Sequence, residues 1–454
     1  MKKILSLVLA AMLLLGCVGM AGAEEETITL NVWSFTNELE GMINDYYAEA
    51  HPNVKINYVI YPTDGGEYTS KVDAIMASAA TSADAPDIFT LEAAFVKKYV
   101  NSDWTADLKG ALGFTDEELA TAIPVMMQIG TSNVNGQLKG LSWQATPGAL
   151  MYRASLAEKY LGVTTPEEFQ AKVADWDLFM ETAAEINEKS EGATKMVVGA
   201  GDIWNAYQYS REQGWVVDGK LVIDPVLYDY LDLTKVLEED DLSNKGAAWS
   251  EVWFNGMKTD STLCFLLPTW GLHYTLKPNC GQGTNDTMSD EELKATCEAN
   301  GGTYGDWRMV AGPVGYSWGG TWIGANAAKV AEADDAKKAA IKDFIKFFTL
   351  DEEFLYPYAK ASGDFVGNNA VVNKILEEGG TPNPFLGGQD HYAIFAEAAN
   401  LANGAIMTDY DEKINSLWSD YVTTPYSKGE KDQETCIEDF KAQVSAQFPE
   451  LVVE

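Results

Sequence analysis

Gly315-Tyr316-Ser317-Trp318-Gly319 matches the G-x-S-x-G spacing that presents a nucleophilic serine, and Asp364 and His391 follow in hydrolase order. The flanks oppose that chemistry. A nucleophile elbow needs a strand before the serine and a helix after it, whereas Pro313 precedes this one and Gly319-Gly320-Thr-Trp-Ile323 reads as a turn into a strand. Paired carboxylates could serve a glycan hydrolase, but among 68 acidic residues no local signature singles out a pair. There is no P-loop, Gly-rich dinucleotide turn or H-E-x-x-H, so no cofactor is expected. No metal site is expected either, because His51, His273 and His391 are scattered and no cysteines have C-x-x-C spacing.

Tryptophan is the more informative residue. Trp33, Trp143, Trp204, Trp253, Trp270, Trp318 and Trp322 fall in loops or at strand ends, commonly beside Gly, Pro, Asn or Gln. Such placement suits a pyranose, whose C–H faces are covered by flat rings while amides and carboxylates satisfy the hydroxyl rim. Any single ring can equally be half-buried core, and Trp33 at the end of the first strand is a candidate for that.

The elements that must position these rings alternate from the start. Ile28–Trp33 and Val54–Ile60 read as strands, Tyr68, Val72, Ile75, Met76 and Ala79 form a helical stripe, and Asp87–Leu91 is a third strand. This order predicts parallel sheets covered by helices. Thr115 with Glu118, and Thr165 with Pro166 and Glu168, mark helix starts. Apolar stripes at Ala336, Ala340, Ile341, Phe344 and Phe348, and at Ile437, Phe440, Val444 and Phe448, read as core. Residues 277–306, rich in Gly, Asn, Thr and acids, read as an inserted surface loop in which Ser289 and Glu292 cap a helix.

The 454 residues carry a formal charge of −36 with 46% hydrophobic content, which describes a large folded acidic protein. Such a surface repels nucleic acid and anionic lipid. Residues 1–23 read as an export signal: Lys2 and Lys3, an apolar run, then small residues. Two processing routes are open. Leu14-Leu15-Gly16-Cys17 resembles a lipobox that would lipidate Cys17, and Ala21-Gly22-Ala23 offers ordinary cleavage, so the product is a cell-surface lipoprotein or a soluble extracellular or periplasmic protein. Membrane contact is expected only through that lipid. Of the other cysteines, Cys264, Cys280, Cys297 and Cys436, the pair Cys280 and Cys297 is preferred for a disulfide because it brackets the loop.

Several segments in order resemble the extracellular solute-binding proteins of bacterial carbohydrate ABC importers, the family that includes maltose-binding protein. They are ITLNVWSFTNELEGMI at 28–43, ADAPDIFTLEAAFVKKY at 83–99, LKGLSWQATPGALMYR at 138–153, LCFLLPTWGLHY at 263–274, GYSWGGTWIGANAAK at 315–329, NPFLGGQDHYAIFAEAA at 383–399 and MTDYDEKINSLW at 407–418. The resemblance implies an α/β periplasmic-binding-protein-like fold: two lobes, a hinge and a ligand cleft between them. It places lobe 1 at 24–142 plus 312–362 and lobe 2 at 143–311 plus 363–454, each discontinuous, with crossings near 140–146, 309–314 and 360–366.

The same resemblance implies a monomer that is not an enzyme, captures a mono- or oligosaccharide and hands it to the membrane permease by closing its lobes. Carried over by position, Asn37, Glu38, Glu92, Gln144 and Gln389 would bind hydroxyls, Trp143, Trp204, Trp270, Trp318 and Trp322 would supply rings, and Tyr410 would contribute from a C-terminal loop. Gln144 departs from relatives that often carry an acid there. A secreted glycan hydrolase and a polysaccharide-adhering surface module are the alternatives.

Overall fold

The computed structural model describes residues 27–454; the expected export signal and Cys17 lie outside the described residues. The chain opens with β1 (Ile28–Ser34), β2 (Val54–Ile60) and β3 (Ile88–Glu92), followed by the short β4 (Leu141–Ser142). β1 is parallel to both β2 and β3, in register Ile28 with Val54 and Val32 with Ile88. The helix Glu67–Ala79 crosses between β2 and β3, burying Tyr68, Val72 and Met76 from the apolar stripe.

A second sheet uses β5 (Gly148–Arg153) as its centre. After the small hairpin β6 (Val216–Val217) and β7 (Lys220–Leu221), β8 (Cys264–Pro268) and β9 (Trp307–Val310) flank β5 in the order β8-β5-β9. Both pairings are antiparallel, which corrects the expectation of parallel sheets throughout. Fully buried runs such as Cys264–Pro268 read alike in either direction, so pattern alone does not orient them. β10 (Thr321–Ala325) then returns to the first sheet between β3 and β4, antiparallel to both, giving the order β2-β1-β3-β10-β4. A last pair, β11 (Pro382–Asn383) and β12 (Gln389–Asp390), lies outside both sheets.

Helix starts follow the predicted chemistry. Thr115, Thr165 and Ser289 each accept from the backbone of the Glu three residues on, whose side chain reaches back to the cap. The helix Asp335–Leu350 buries Ala340, Ile341, Phe344 and Phe348, and Gln433–Gln447 buries Ile437, Phe440 and Val444. Asp87 is buried and accepts from the Asn31 N–H at 2.8 Å and from Lys337 Nζ at 3.0 Å, tying β1 to the helix Asp335–Leu350.

The 277–306 segment is more ordered than a surface loop. It holds the eleven-residue helix Asp290–Asn300, and Lys277 pairs with Asp290 at 2.9 Å. Cys280 and Cys297 meet there, but as free buried thiols with sulfurs 3.5 Å apart; the expected disulfide is not formed. Thr303 locks the segment to the helix Glu251–Lys258 and to β9 by donating to Met257 O at 2.8 Å and accepting from Trp307 Nε1 at 2.9 Å. Among the described residues no helix is long and apolar enough to cross a membrane.

Candidate functional site

The chain leaves the first sheet after Ser142, enters the second at Gly148, leaves it at Val310 and rejoins the first at Thr321. A third segment runs beside the first passage: Ala145 N–H donates to Phe365 O at 2.9 Å and Gly367 N–H to Trp143 O at 2.8 Å. Pro147 bridges Ser317, so all three passages are laced together. Two adjoining cavities of about 390 and 380 Å³ open beside them, sharing Glu92, Trp318 and Gly319.

The loops that follow the first-sheet strands supply one wall. Thr36 and Glu38 come from the end of β1, and Glu92 ends β3, its carboxylate accepting from the Ala94 N–H at 2.7 Å. Gln144 lines the cavity from the first passage. Rings supply the facing wall. Trp270 and Trp318 meet edge to face at 5.2 Å, and Trp270 Nε1 donates to the Trp318 carbonyl at 2.8 Å. Trp249 lies parallel to Trp270 at 5.9 Å and is 53% exposed. Its φ of 69° is a left-handed conformation that costs an aromatic residue on the order of 1–3 kcal/mol, so the surrounding loop holds this ring in place against strain. Trp204 lines the other end of the cleft.

Several expected contacts are corrected. Trp143 and Trp322 are fully buried and have no face to offer; Trp322 Nε1 donates to Met126 O at 2.8 Å inside the first lobe. Gln389 is occupied structurally: Nε2 donates to Met309 O and Oε1 accepts from Met309 N–H, both at 2.7 Å, closing the free edge of β9. Tyr410 packs against Phe448 at 5.0 Å, while Thr408, Asp411 and Glu412 of the same loop line the cavity instead. Asn37 is exposed at the start of the helix Glu38–Met42 and lines neither cavity. Trp249, Arg211, Tyr209 and Tyr274 were not anticipated; Trp249 carried one signal, its place in a small-residue stretch directly before the helix cap Ser250. Ser317 Oγ hydrogen-bonds to Thr146, and among the described residues no imidazole bonds to it, so no triad is assembled.

The cleft is rich in carboxyls. Burial and the neighbouring Asp364 charge push the Glu38 carboxyl up to about 8, and burial raises Asp364 as well. Tyr358 OH lies 2.5 Å from Asp364 Oδ2 and 3.3 Å from Glu38 Oε1, and the two carboxyls retain a proton between them at neutral pH. Burial pushes Glu92 up to about 7, and Asp411 up to about 6 against the pull of Arg211, whose Nη2 is 3.9 Å away. Asp202, which accepts from Trp253 Nε1 at 2.7 Å behind the cleft, is raised to about 7 by burial.

These shifts have a sign. Each folded carboxyl holds a proton that the unfolded chain has released above its ordinary value near 4, so stability is full below about 4 and declines as pH rises from there until the folded groups ionise at about 6 to 8. Melting temperature therefore falls between pH 5 and pH 8.5, and Glu38→Gln flattens the upper part of that decline. A melting temperature that climbs with pH over this range would contradict the protonated cleft.

The family pattern described as bacterial extracellular solute-binding protein matches residues 42–380. The chain belongs to this family. Among solved structures, a family 1 extracellular solute-binding protein shares 19% identity with TM-score 0.75, covering 92% of this chain and 99% of that one. The ABC transporter associated binding protein of B. animalis subsp. lactis Bl-04, in complex with beta-1,6-galactobiose, shares 18% with TM-score 0.64, covering 94% and 98%. The GacH receptor of Streptomyces glaucescens, solved unliganded and with acarbose, shares 18% with TM-score 0.63 over the same shares. No curated protein sequence matches the chain significantly. At these identities the likeness establishes the two-sheet binding-protein fold, and the solute itself must be read from the cleft.

Proposed function

We propose that this solute-binding protein captures a carbohydrate outside the cell and delivers it to an ABC permease by closing its two lobes. The observation that carries the reading is the cleft itself: Trp249, Trp270 and Trp318 opposite Glu38, Glu92 and Gln144. Rings cover the apolar faces of a pyranose, and acceptors meet its hydroxyls, so neither surface is left unpaired when water leaves. The sugar-bound state of structural neighbours supports the same chemistry. Lobe 1 comprises 24–142 with 312–362, and lobe 2 comprises 143–311 with 363–454. The three laced passages between them are the hinge, and ligand selects the closed state that the permease reads. The protein acts as a monomer, exported and then either tethered through Cys17 or released by cleavage after Ala23.

One observation favours a second reading: raised carboxyls in a cleft are what a glycan hydrolase uses as its acid. One experiment separates the two. Thermal unfolding of residues 24–454 is followed against mono- and oligosaccharides at millimolar concentration, and each mixture is then checked for product. Micromolar binding, about −8 kcal/mol, places the ligand near a thousandfold over Kd and adds about 4 kcal/mol of stability, a shift of several degrees. A shift with the sugar intact supports the binding protein. Consumed sugar replaces this reading with the hydrolase, and silence across the panel removes carbohydrate.

A further inference from the structure

Beyond Trp204 lies a third cavity, of about 540 Å³, built from the second lobe. It continues the cleft, because Trp204 and Asn415 line both spaces. One side is the start of the helix Ala200–Tyr207, whose N-cap Gly199 has no side chain to close it. The N–H groups of Ala200 and Gly201 have no recorded acceptor among the described residues, and both residues line the cavity. Across from them stand Ser416, Ser419 and Ser427. Trp418 also lines the space, and its Nε1 is buried without a hydrogen-bond partner.

Both spaces are polar. The cleft is lined by the carboxyls of Glu38, Glu92, Asp411 and Glu412 with Arg211 among them, and the third cavity by backbone N–H groups, hydroxyls, Lys428, and Lys245 paired with Glu238 at 3.6 Å. A glycan hydroxyl both donates and accepts, so one chain of sugar units can satisfy both. Volume agrees: a cavity of about 150 Å³ accepts benzene, and a hexose unit has about twice as many heavy atoms, so the three spaces of about 390, 380 and 540 Å³ hold about one unit each.

We propose that the bound glycan runs out of the cleft past Trp204 and seats its terminal unit at the start of the helix Ala200–Tyr207, which makes the ligand an oligosaccharide of about three or more units. This inference rests on the carbohydrate reading. Trp204 then serves as a platform along the path, with sugar on both sides of it.

The test uses linear di- to hexasaccharides of glucose, galactose, mannose and xylose, titrated calorimetrically into the mature protein and a blocked variant. Gly201→Phe is the block, since Gly201 lines the cavity and a Cβ there meets no atom within 4 Å. Ser416→Trp, at an exposed helical position on the opposite wall, is a second block. Affinity in the parent should rise tenfold or more from the disaccharide to the tetrasaccharide, and both variants should cancel that gain while leaving the disaccharide within twofold. Affinity that is flat with length, or tetrasaccharide binding unchanged in both folded variants, overturns the inference and leaves carbohydrate capture standing. Failure of every length to bind overturns the carbohydrate reading and this inference with it.

Discussion

Trp318→Ala lowers sugar affinity by about two orders of magnitude and leaves a folded protein. This ring is the one large side chain common to both halves of the cleft, which it shares with Glu92 and Gly319. It also meets Trp270 at 5.2 Å and Trp249 at 6.4 Å, so its removal unseats two further rings. A tryptophan buries about 150–250 Å² in full, and covering one of its faces at about 25 cal/mol per Å² is worth about 2–3 kcal/mol, roughly thirty- to a hundred-and-fiftyfold in Kd. The fold survives because Trp318 is only half-buried, and the bond that orients Trp270 runs to the Trp318 backbone carbonyl, which alanine keeps. Calorimetry with the sugar found by thermal shift checks the affinity, and a melt checks the fold. Unchanged affinity would take Trp318 out of the site. Trp322→Phe is the contrast: that ring is fully buried, so its change should register in melting temperature and leave affinity within severalfold.

The difference between Trp318 and Trp322 shows what the residues disclosed and what they did not. Capping boxes at Thr115, Thr165 and Ser289 depend on neighbours three residues apart, and core stripes depend on helical period, so both are written locally. Whether a tryptophan at a strand end faces ligand or core depends on what packs over it from distant sequence. Trp322 is covered by Met126, almost two hundred residues earlier, and Trp143 is sealed among the passages. In the C-terminal segment Asp411 lines the cavity while its neighbour Tyr410, the N-cap of the helix Asp411–Trp418, packs on Phe448, a difference of one position that a resemblance between segments does not resolve. Trp249 needed a left-handed backbone that no tryptophan adopts by preference. Arg211, one of three arginines in the chain, stacks over Trp215 and reaches the cavity only through a tertiary contact.

Gly148→Ala should be a strongly destabilising single methyl. Gly148 begins β5 where the first passage ends, and its N–H donates to Tyr316 O at 2.9 Å in the second passage. The Tyr316 ring lies flat on it: a Cβ at Gly148 would stand 1.9 Å from Cζ and 2.0 Å from Cε2, with the ring fully buried. The ring has no exit, since its hydroxyl is held by donating to Ala149 O at 3.3 Å. The strand must yield instead, separating the two passages that the Pro147 to Ser317 bridge holds together. Overpacking of this kind costs about 3 kcal/mol, a drop of about 3–4 °C in melting temperature for a chain of this size. Gly201→Ala, whose Cβ meets nothing, should leave the melting temperature unchanged or raise it slightly through helix propensity. A Gly148→Ala protein that melts within 2 °C of the parent contradicts the packing described here. A double-mutant cycle assigns the cause: Tyr316→Ala is destabilising alone because it empties a buried site, but it also removes the clash, so adding Gly148→Ala to it should cost well under 1 kcal/mol more. Fully additive losses would place the damage in the backbone of β5, whereas strong non-additivity identifies the Gly148 and Tyr316 contact as the joint that fixes how the two passages cross.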